Sequence, residues 1–138
     1  INIAVDVLLQ HVRELCQLVL GCGVDVRLIG SKQNAAVKSH LDGRKVAILG
    51  DMKELGSEEL KLHFDTGVYA KSKGIGTVIT VGELAKELAN GADGKAFDTI
   101  EDAKPEILKT IKSGDVVLVK ASHSMQFENI VEFLKQNF

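Results

Sequence analysis

From residue 44 onward, short apolar runs alternate with amphipathic segments. The apolar runs are typical of strands that are buried on both faces of a sheet. They predict strands at residues 45–49, 77–81 and 115–120, and a brief strand is also predicted at residues 95–97. In the amphipathic segments apolar residues recur every three to four positions, which predicts helices at residues 57–73, 83–89, 100–112 and 125–137.

Local signals predict how these helices begin and pack. Ser57 and Thr99 are placed to accept hydrogen bonds from the first backbone N–H groups of their helices. Leu60, Phe64 and Val68 follow one another at every fourth position, so they are predicted to form the inner face of the first helix. Turns are predicted at residues 90–91 and 93–94. The proline at position 105 predicts either a kink or a helix that begins near it.

The first 42 residues have a less regular pattern. Residues 4–20 place their apolar side chains on one broad arc of a helical wheel, which predicts an amphipathic helix. Residues 24–29 begin with a period of two and predict a strand. Ser31 is a candidate cap for a short helix that reaches about His40.

The order of the elements predicts the fold class. Strands that alternate with helices cannot pair as hairpins, because each helix carries the chain back to the start of the next strand. We therefore predict an α/β fold: one open, mainly parallel sheet of about five strands with helices on both faces. Residues 1–138 are predicted to form a single domain.

Composition narrows the classes of function. The chain has a net charge of -2 with one tyrosine, five phenylalanines and no tryptophan, so no nucleic-acid partner is expected. Charged residues interrupt the apolar residues 4–20, so neither a membrane span nor a signal peptide is predicted. Cys16 and Cys22 match no zinc or redox motif and are expected to be free thiols. These features favour a cytoplasmic location.

Ligands of open α/β sheets bind at the carboxyl ends of the strands, where two loops carry candidate chemistry. The loop of residues 50–56 contains Asp51, Lys53 and Glu54, which could orient an amine or a magnesium-bound phosphate. The alternative is a solvated loop between two glycines. Residues 120–123 contain Ser122 and His123, which could bind a carboxylate together with backbone N–H groups.

Other residues receive structural or no assignments. Ser122 or Ser124 could instead cap the last helix, with His123 on the surface. His63 is predicted to be a hydrogen-bonded structural histidine, and no role is assigned to His11 or His40. No P-loop or dinucleotide-binding glycine motif is present in the chain, and no metal site is predicted.

Several separated motifs resemble those of one family. They are GRKVAILGDMKELG at residues 43–56, LHFDTG at 62–67, VG at 81–82, GDVVLVKASHSM at 114–125 and FENIV at 127–131. Together they resemble the C-terminal domain of Mur ligases, and among these the members that add D-alanyl-D-alanine. The resemblance covers residues 43–138, whereas residues 1–42 lack the family's pattern.

This resemblance implies a Rossmann-like domain of a bacterial ligase of peptidoglycan biosynthesis. Such an enzyme uses ATP and magnesium to activate UDP-MurNAc-tripeptide as an acyl phosphate, which the amine of D-alanyl-D-alanine then attacks. The central ATPase domain, which carries the P-loop, and the N-terminal domain would be the partners of this chain. The isolated chain is expected to bind neither ATP nor magnesium and to be inactive.

The matched positions imply a substrate-binding role for six residues and no catalytic residue in this chain alone. The six residues are Asp51, Met52, Glu54, Lys120, Ser122 and His123. Two positions depart from the family pattern: Ala121 replaces a glycine, and His123 replaces an arginine. The second change replaces a fork of donors with a ring that is largely neutral at neutral pH.

Two alternatives to this interpretation remain open. One is a stand-alone α/β binding module that keeps this fold but serves another partner or a small anion. The other is the same domain of a sister ligase that adds a different amino acid, in which the positions of Ser122 and His123 would be expected to differ.

Overall fold

The computed structural model describes residues 2–6, 26–28 and 44–138. The predicted helix at residues 4–20 is wrong at its start, because Asn2–Asp6 form a strand. A short apolar run such as the one at the start of this segment can form either a buried helix or a buried strand. Here the run forms a strand that pairs with residues 116–120. The rest of that helix, the short helix from Ser31 to His40, both cysteines and His11 lie outside the described residues.

Six strands of the described residues form one sheet in the order β2-β1-β6-β3-β4-β5. The strands are β1 (Asn2–Asp6), β2 (Val26–Leu28), β3 (Lys45–Gly50), β4 (Thr77–Val81), β5 (Lys95–Phe97) and β6 (Val116–Lys120). All neighbouring strands run parallel except β1 and β2, which are antiparallel. In the middle of the sheet Ile48 lies beside Val119 on one side and Ile79 on the other. The predicted open, mainly parallel sheet is confirmed.

Within residues 44–138, four helices cover both faces of this sheet: α1 (Glu59–Ser72), α2 (Ala85–Ala92), α3 (Ile100–Thr110) and α4 (Glu128–Asn137). Alternate residues of β3 point to opposite faces, so the strand contributes to two cores. Val46 and Ile48 pack with α3 and α4, whereas Ala47 and Leu49 pack with α1 and α2. The prediction of helices on both faces is therefore also confirmed. Within the described residues, every helix is too short or too polar to cross a bilayer.

The predicted inner face of α1 is wrong. Leu60, Phe64 and Val68 are 54%, 40% and 46% exposed, respectively. The buried face consists instead of His63, Thr66, Gly67 and Ala70. Two glycines explain this choice: a Cβ at Gly67 would overlap the backbone of α2, and a Cβ at Gly91 would overlap the backbone of α1. The two helices meet backbone to backbone, which leaves no room for large side chains between them.

Several helix ends differ from the predictions. Ser57 does not cap α1, which begins at Glu59 without a side-chain cap. Residues 90–91 lie inside α2, whose end is the left-handed Asp93. Thr99 does cap α3, since its side chain accepts a hydrogen bond from the Asp102 N–H at 3.1 Å. Pro105 lies inside α3, so a helix that begins near the proline is excluded.

Candidate functional site

The two candidate loops lie side by side at the carboxyl edge of the sheet. β3 and β6 are neighbouring parallel strands, and Asp51 and Ala121 are the first residues after them. The Ser122 N–H donates a hydrogen bond to the Asp51 carbonyl oxygen at 2.9 Å. The prediction that both loops emerge at one edge is confirmed. We call residues 51–54 and 120–123 together the rim.

Three consecutive residues of the rim are tied to three different elements. Asp51 Oδ1 accepts a hydrogen bond from the Ala85 N–H at 2.8 Å, at the start of α2. The Met52 N–H donates to His63 Nε2 of α1 at 3.0 Å. The Lys53 N–H donates to Ser122 Oγ at 2.7 Å, across the gap between the two loops. Residues 51–53 are therefore held from three sides, by the side chain of Asp51 and by the backbone N–H groups of Met52 and Lys53.

Asp51 is a buried carboxylate that serves the N-terminus of α2. Its residue is 7% exposed, and it satisfies a backbone N–H group that has no acceptor within the helix. The negative charge also lies at the positive end of the helix dipole. Gly82 makes this approach possible: its φ is +117°, and a Cβ there would lie 2.6 Å from Asp51 Cγ.

The other predicted residues of the 50–56 loop divide into buried and exposed groups. Met52 is 8% exposed, and its N–H is held by His63. Glu54 is exposed and has a φ of +65°, so its side chain is directed by an unusual backbone conformation. The structure therefore brings Glu54 to the accessible surface of the rim, whereas Met52 belongs to its support.

Residues 120–123 show a similar division. Lys120 ends β6 and is 4% exposed. Ser122 is 5% exposed, and its oxygen accepts the Lys53 N–H, which leaves the hydroxyl proton to donate elsewhere. His123 is exposed and begins a short 3-10 turn, His123–Met125. The interpretation of a serine as helix cap is wrong, because α4 begins at Glu128 with no side-chain cap.

His63 is the hydrogen-bonded structural histidine that the sequence predicted. It is completely buried, and its Nδ1 lies 2.6 Å from the Glu59 carbonyl oxygen. A carbonyl oxygen can only accept, so Nδ1 carries the proton. Nε2 is then the acceptor for the Met52 N–H, and the network assigns the neutral Nδ1–H tautomer.

Sequence reasoning missed two glycines that shape the rim. A Cβ at Gly50 would lie 2.5 Å from Phe127 Cζ and 2.8 Å from Ala121 Cβ, so the ends of β3 and β6 pack closely. Gly82 admits the Asp51 carboxylate in the same way. A signal existed in both cases, since each glycine directly ends a predicted strand and a chemically important loop lies on the neighbouring strand.

A separate charged cluster stabilises the opposite edge of the sheet. Arg44 donates to both carboxylate oxygens of Asp115, with distances of 3.1 and 2.6 Å, and the Lys112 N–H donates at 2.8 Å. Burial alone raises the pKa of Asp115, but these hydrogen bonds and the positive charge of Arg44 together leave the pKa below its ordinary value. The same pair raises the pKa of Arg44. This cluster precedes β3 and β6 and lies away from the rim.

The described residues contain no group of three or more His, Cys, Asp or Glu side chains that could hold a metal ion. The rim instead offers a hydroxyl donor, an imidazole, a carboxylate and fixed backbone groups. This set suits the recognition of a small polar molecule that has both an amine and a carboxylate.

Comparison with known proteins identifies sequence relatives. The family model described as "Mur ligase, glutamate ligase domain" matches residues 31–123. The UDP-N-acetylmuramoyl-tripeptide–D-alanyl-D-alanine ligase of Bacillus subtilis is 36% identical over 100 residues, which cover 67% of this chain and 22% of that protein. The corresponding ligase of Escherichia coli is 31% identical over 113 residues, which cover 79% of this chain and 25% of that protein. The chain thus spans about a quarter or less of the length of these relatives.

Solved structures show the same fold. A MurF ligase from Thermotoga maritima in complex with ADP matches with a TM-score of 0.60 and 26% identity, covering 69% of this chain and 22% of that one. A MurF structure from Acinetobacter baumannii matches with a TM-score of 0.63 and 27% identity, covering 69% of this chain and 23% of that one.

Proposed function

This chain belongs to the Mur ligase family and corresponds to the C-terminal domain of such a ligase. We propose that it works within a ligase that joins D-alanyl-D-alanine to UDP-MurNAc-tripeptide. The matched ligases of Bacillus subtilis and Escherichia coli support this substrate pair. Because the chain corresponds to about a quarter or less of such an enzyme, we assign it one task, the presentation of the incoming dipeptide.

The observation that carries this proposal is the hydrogen-bonded rim. Ser122 Oγ accepts the Lys53 N–H, so its proton is available to the carboxylate of a dipeptide. His123 and Glu54 are exposed beside it and can contact the carboxylate and the amine, respectively. Lys120, Asp51 and Met52 are buried and would shape the binding surface from below.

A rim held in this way contributes to the reaction by position. In the proposed reaction the tripeptide carboxylate is first activated as an acyl phosphate. The dipeptide amine then attacks the acyl carbon, and the peptide bond forms as inorganic phosphate leaves and the amine gives up a proton. A dipeptide held at the rim would be carried to the acyl phosphate when the domains close, which replaces a bimolecular encounter with an oriented one. Closure also removes water that would hydrolyse the acyl phosphate.

ATP and Mg²⁺ belong to the intact enzyme in this proposal, since ATP supplies the phosphoryl group that activates the carboxylate. The described residues do not fit a metal site, because they contain no cluster of metal-ligating side chains. We therefore assign no residue of this chain to the cation or to phosphoryl transfer. The central ATPase domain of the same ligase would hold ATP and the cation, and the N-terminal domain would be the second partner of this chain.

The proposal is tested in a chimeric ligase in which residues 31–138 replace the corresponding domain of the Bacillus subtilis relative. We expect ADP release that depends on D-alanyl-D-alanine, whereas the chain alone should release none. Ser122→Ala should raise the KM for the dipeptide about tenfold with a smaller change in kcat, as expected for the loss of one hydrogen bond to a charged group. Ser113→Ala, in the exposed turn before β6 at the opposite edge, is the matched control.

The same assay separates the alternative functions. Turnover with a single amino acid, and none with the dipeptide, would identify a sister ligase. A folded chimera without turnover for any amino acceptor would contradict the proposal and favour a stand-alone binding module.

A further inference from the structure

The side chain of His63 in α1 hydrogen-bonds both to its own helix and to the rim. We propose that His63 is a positioning residue for the acceptor substrate: it holds the Met52 N–H and thereby sets the Lys53 N–H against the Ser122 hydroxyl. This inference rests on the proposed function, because Ser122 is the group assigned to the dipeptide. His63 itself does not touch the substrate in this scheme.

The geometry makes His63 a bridge of fixed length. Its Nδ1–H group donates to the Glu59 carbonyl oxygen, which anchors the ring to the helix. Its Nε2 accepts the Met52 N–H from the opposite side of the ring. Both ring nitrogens are engaged and the side chain is completely buried, so the ring cannot rotate without losing two hydrogen bonds.

The bridge extends to Ser122 through the backbone. The Asp51–Met52 peptide unit is held at both ends, by the Ser122 N–H on its carbonyl oxygen and by His63 on its N–H, so only the φ and ψ rotations of Met52 separate it from the Lys53 N–H. With the Met52 N–H on His63, the next N–H group donates to Ser122 Oγ, and we infer that loss of the first hydrogen bond loosens the second. A change at His63 would therefore be transmitted over two hydrogen bonds to the Ser122 hydroxyl, the group to which we assign the dipeptide carboxylate.

A purely structural role would be met more simply by an apolar side chain. The neighbouring positions on the buried face of α1 are small, and this helix packs on an aliphatic cluster. A buried imidazole is costly unless both nitrogens have partners. The Met52 N–H needs a hydrogen-bond acceptor, which an apolar side chain at position 63 could not supply. We assign this role to His63.

Two substitutions that differ in side-chain length test the two hydrogen bonds of His63 separately. A glutamine at this position would place its amide oxygen near the site of Nε2, so His63→Gln should keep the acceptor for the Met52 N–H. His63→Asn is shorter: it keeps a donor for the Glu59 carbonyl oxygen but cannot reach the loop. Thr66→Val is the matched control, because Thr66 Oγ1 donates to the Leu62 carbonyl oxygen at 2.7 Å on the same buried face without contacting the rim.

Amide hydrogen exchange in the 138-residue chain is the first readout. In the unmodified chain the Met52 and Lys53 N–H groups should exchange as slowly as buried amides of α1. His63→Asn should accelerate exchange of both amides about tenfold or more, relative to the change in α1 as a whole. His63→Gln and Thr66→Val should leave the exchange rates of the Met52 and Lys53 amides unchanged relative to those of α1.

The second readout is kinetic and uses the chimeric ligase. His63→Asn should raise the KM for D-alanyl-D-alanine about tenfold with kcat nearly unchanged, His63→Gln should restore it, and Thr66→Val should not alter it. Rapid exchange of Met52 and Lys53 in the unmodified chain would overturn the proposal even if His63→Asn does not fold. Equal effects of His63→Asn and Thr66→Val on KM would also overturn it.

The two readouts separate this inference from the proposed function. The unmodified chimera could show no dipeptide-dependent turnover while amide exchange responds as expected. The proposed function would then be refuted, and only the hydrogen bond from the Met52 N–H to His63 would be supported. If turnover is normal but His63→Asn changes neither exchange nor KM, the proposed function stands and the positioning role is refuted.

Discussion

Replacement of Gly82 by alanine tests how the rim is built. Gly82 follows β4, and its φ of +117° lies in a region that side chains rarely adopt. A Cβ at this position would lie 2.6 Å from Cγ of Asp51 and would push the carboxylate away from the Ala85 N–H. Gly82→Ala therefore combines backbone strain with the loss of one charge-assisted hydrogen bond.

The size of the effect follows from these two contributions. A left-handed backbone conformation costs an alanine about 1–2 kcal/mol relative to glycine. A hydrogen bond to a charged group contributes about 1.5–3 kcal/mol to stability. Asp51 lies at the edge of the sheet and can reach water after a small movement, which recovers part of the second contribution. We therefore expect Gly82→Ala to lower the free energy of unfolding by about 3 kcal/mol.

Urea unfolding of the chain, followed by circular dichroism, measures this change. Gly74→Ala is the matched control, because Gly74 has a φ of +85° and a Cβ added there would meet no atom within 4 Å, so only strain of about 1–2 kcal/mol is expected. In an Asp51→Ala background the cost of Gly82→Ala should fall to the same level. An equal cost for Gly82→Ala in both backgrounds would refute the contact between the glycine and the carboxylate as its cause.

Three further predictions concern the rest of the fold. Gly67→Ala should destabilise the chain by at least about 2 kcal/mol in urea unfolding because its Cβ would overlap the backbone of α2, whereas Phe64→Gln on the exposed side of α1 should change stability by about 0.5 kcal/mol or less. Pro105→Ala should raise the thermal midpoint, because it restores a backbone donor inside α3 and removes about 1–3 kcal/mol of helix-breaking cost. The pKa of Asp115 is lower in the folded than in the unfolded chain, so its stabilisation is present above the ordinary pKa of 3.8 and is lost as the pH falls through the folded-state pKa. The urea midpoint should consequently fall less steeply below about pH 4 in Asp115→Asn than in the unmodified chain.

Strands β3, β4 and β6 could be predicted because their signal is local. Each is a short apolar run that ends near a glycine or at a loop of polar residues, and burial on both faces requires no knowledge of the neighbours. The cap at Thr99 is equally local, since it depends on a side chain and an N–H group three residues away. Features of this kind are contained in a few consecutive residues.

The face of α1 could not be predicted in the same way. Its most regular apolar stripe points outward, because Gly67 and Gly91 let α1 and α2 approach more closely than leucine or phenylalanine would allow. Two glycines 24 positions apart act together only after the helices have been placed in space. The strand at the start of the chain has a similar origin, since its partner in the sheet is β6.

The rim shows the same division between topology and detail. Parallel strand order predicts that the loops after β3 and β6 share an edge, and the Ser122–Asp51 hydrogen bond confirms it. The partners of the individual side chains could not be predicted, because Asp51 bonds to the start of α2 and His63 reaches the loop from α1. Strand order decides which loops meet, whereas helix placement decides which atoms touch.

The hydrogen bonds that hold residues 51–53 affect how the rim can move when the domain closes. Residues 51–53 are held by α1, α2 and the loop after β6, through two backbone N–H groups and the Asp51 side chain, so we expect the rim to move together with the core of the domain. Groups that need little adjustment lose little conformational entropy when a substrate binds. A domain that closes as a rigid body would carry such a rim, and any dipeptide on it, into place without rearranging the contacts that hold the substrate. A rim that changed its internal hydrogen bonds on closure would lose this advantage, and the exchange rates of Met52 and Lys53 with and without the dipeptide would reveal it.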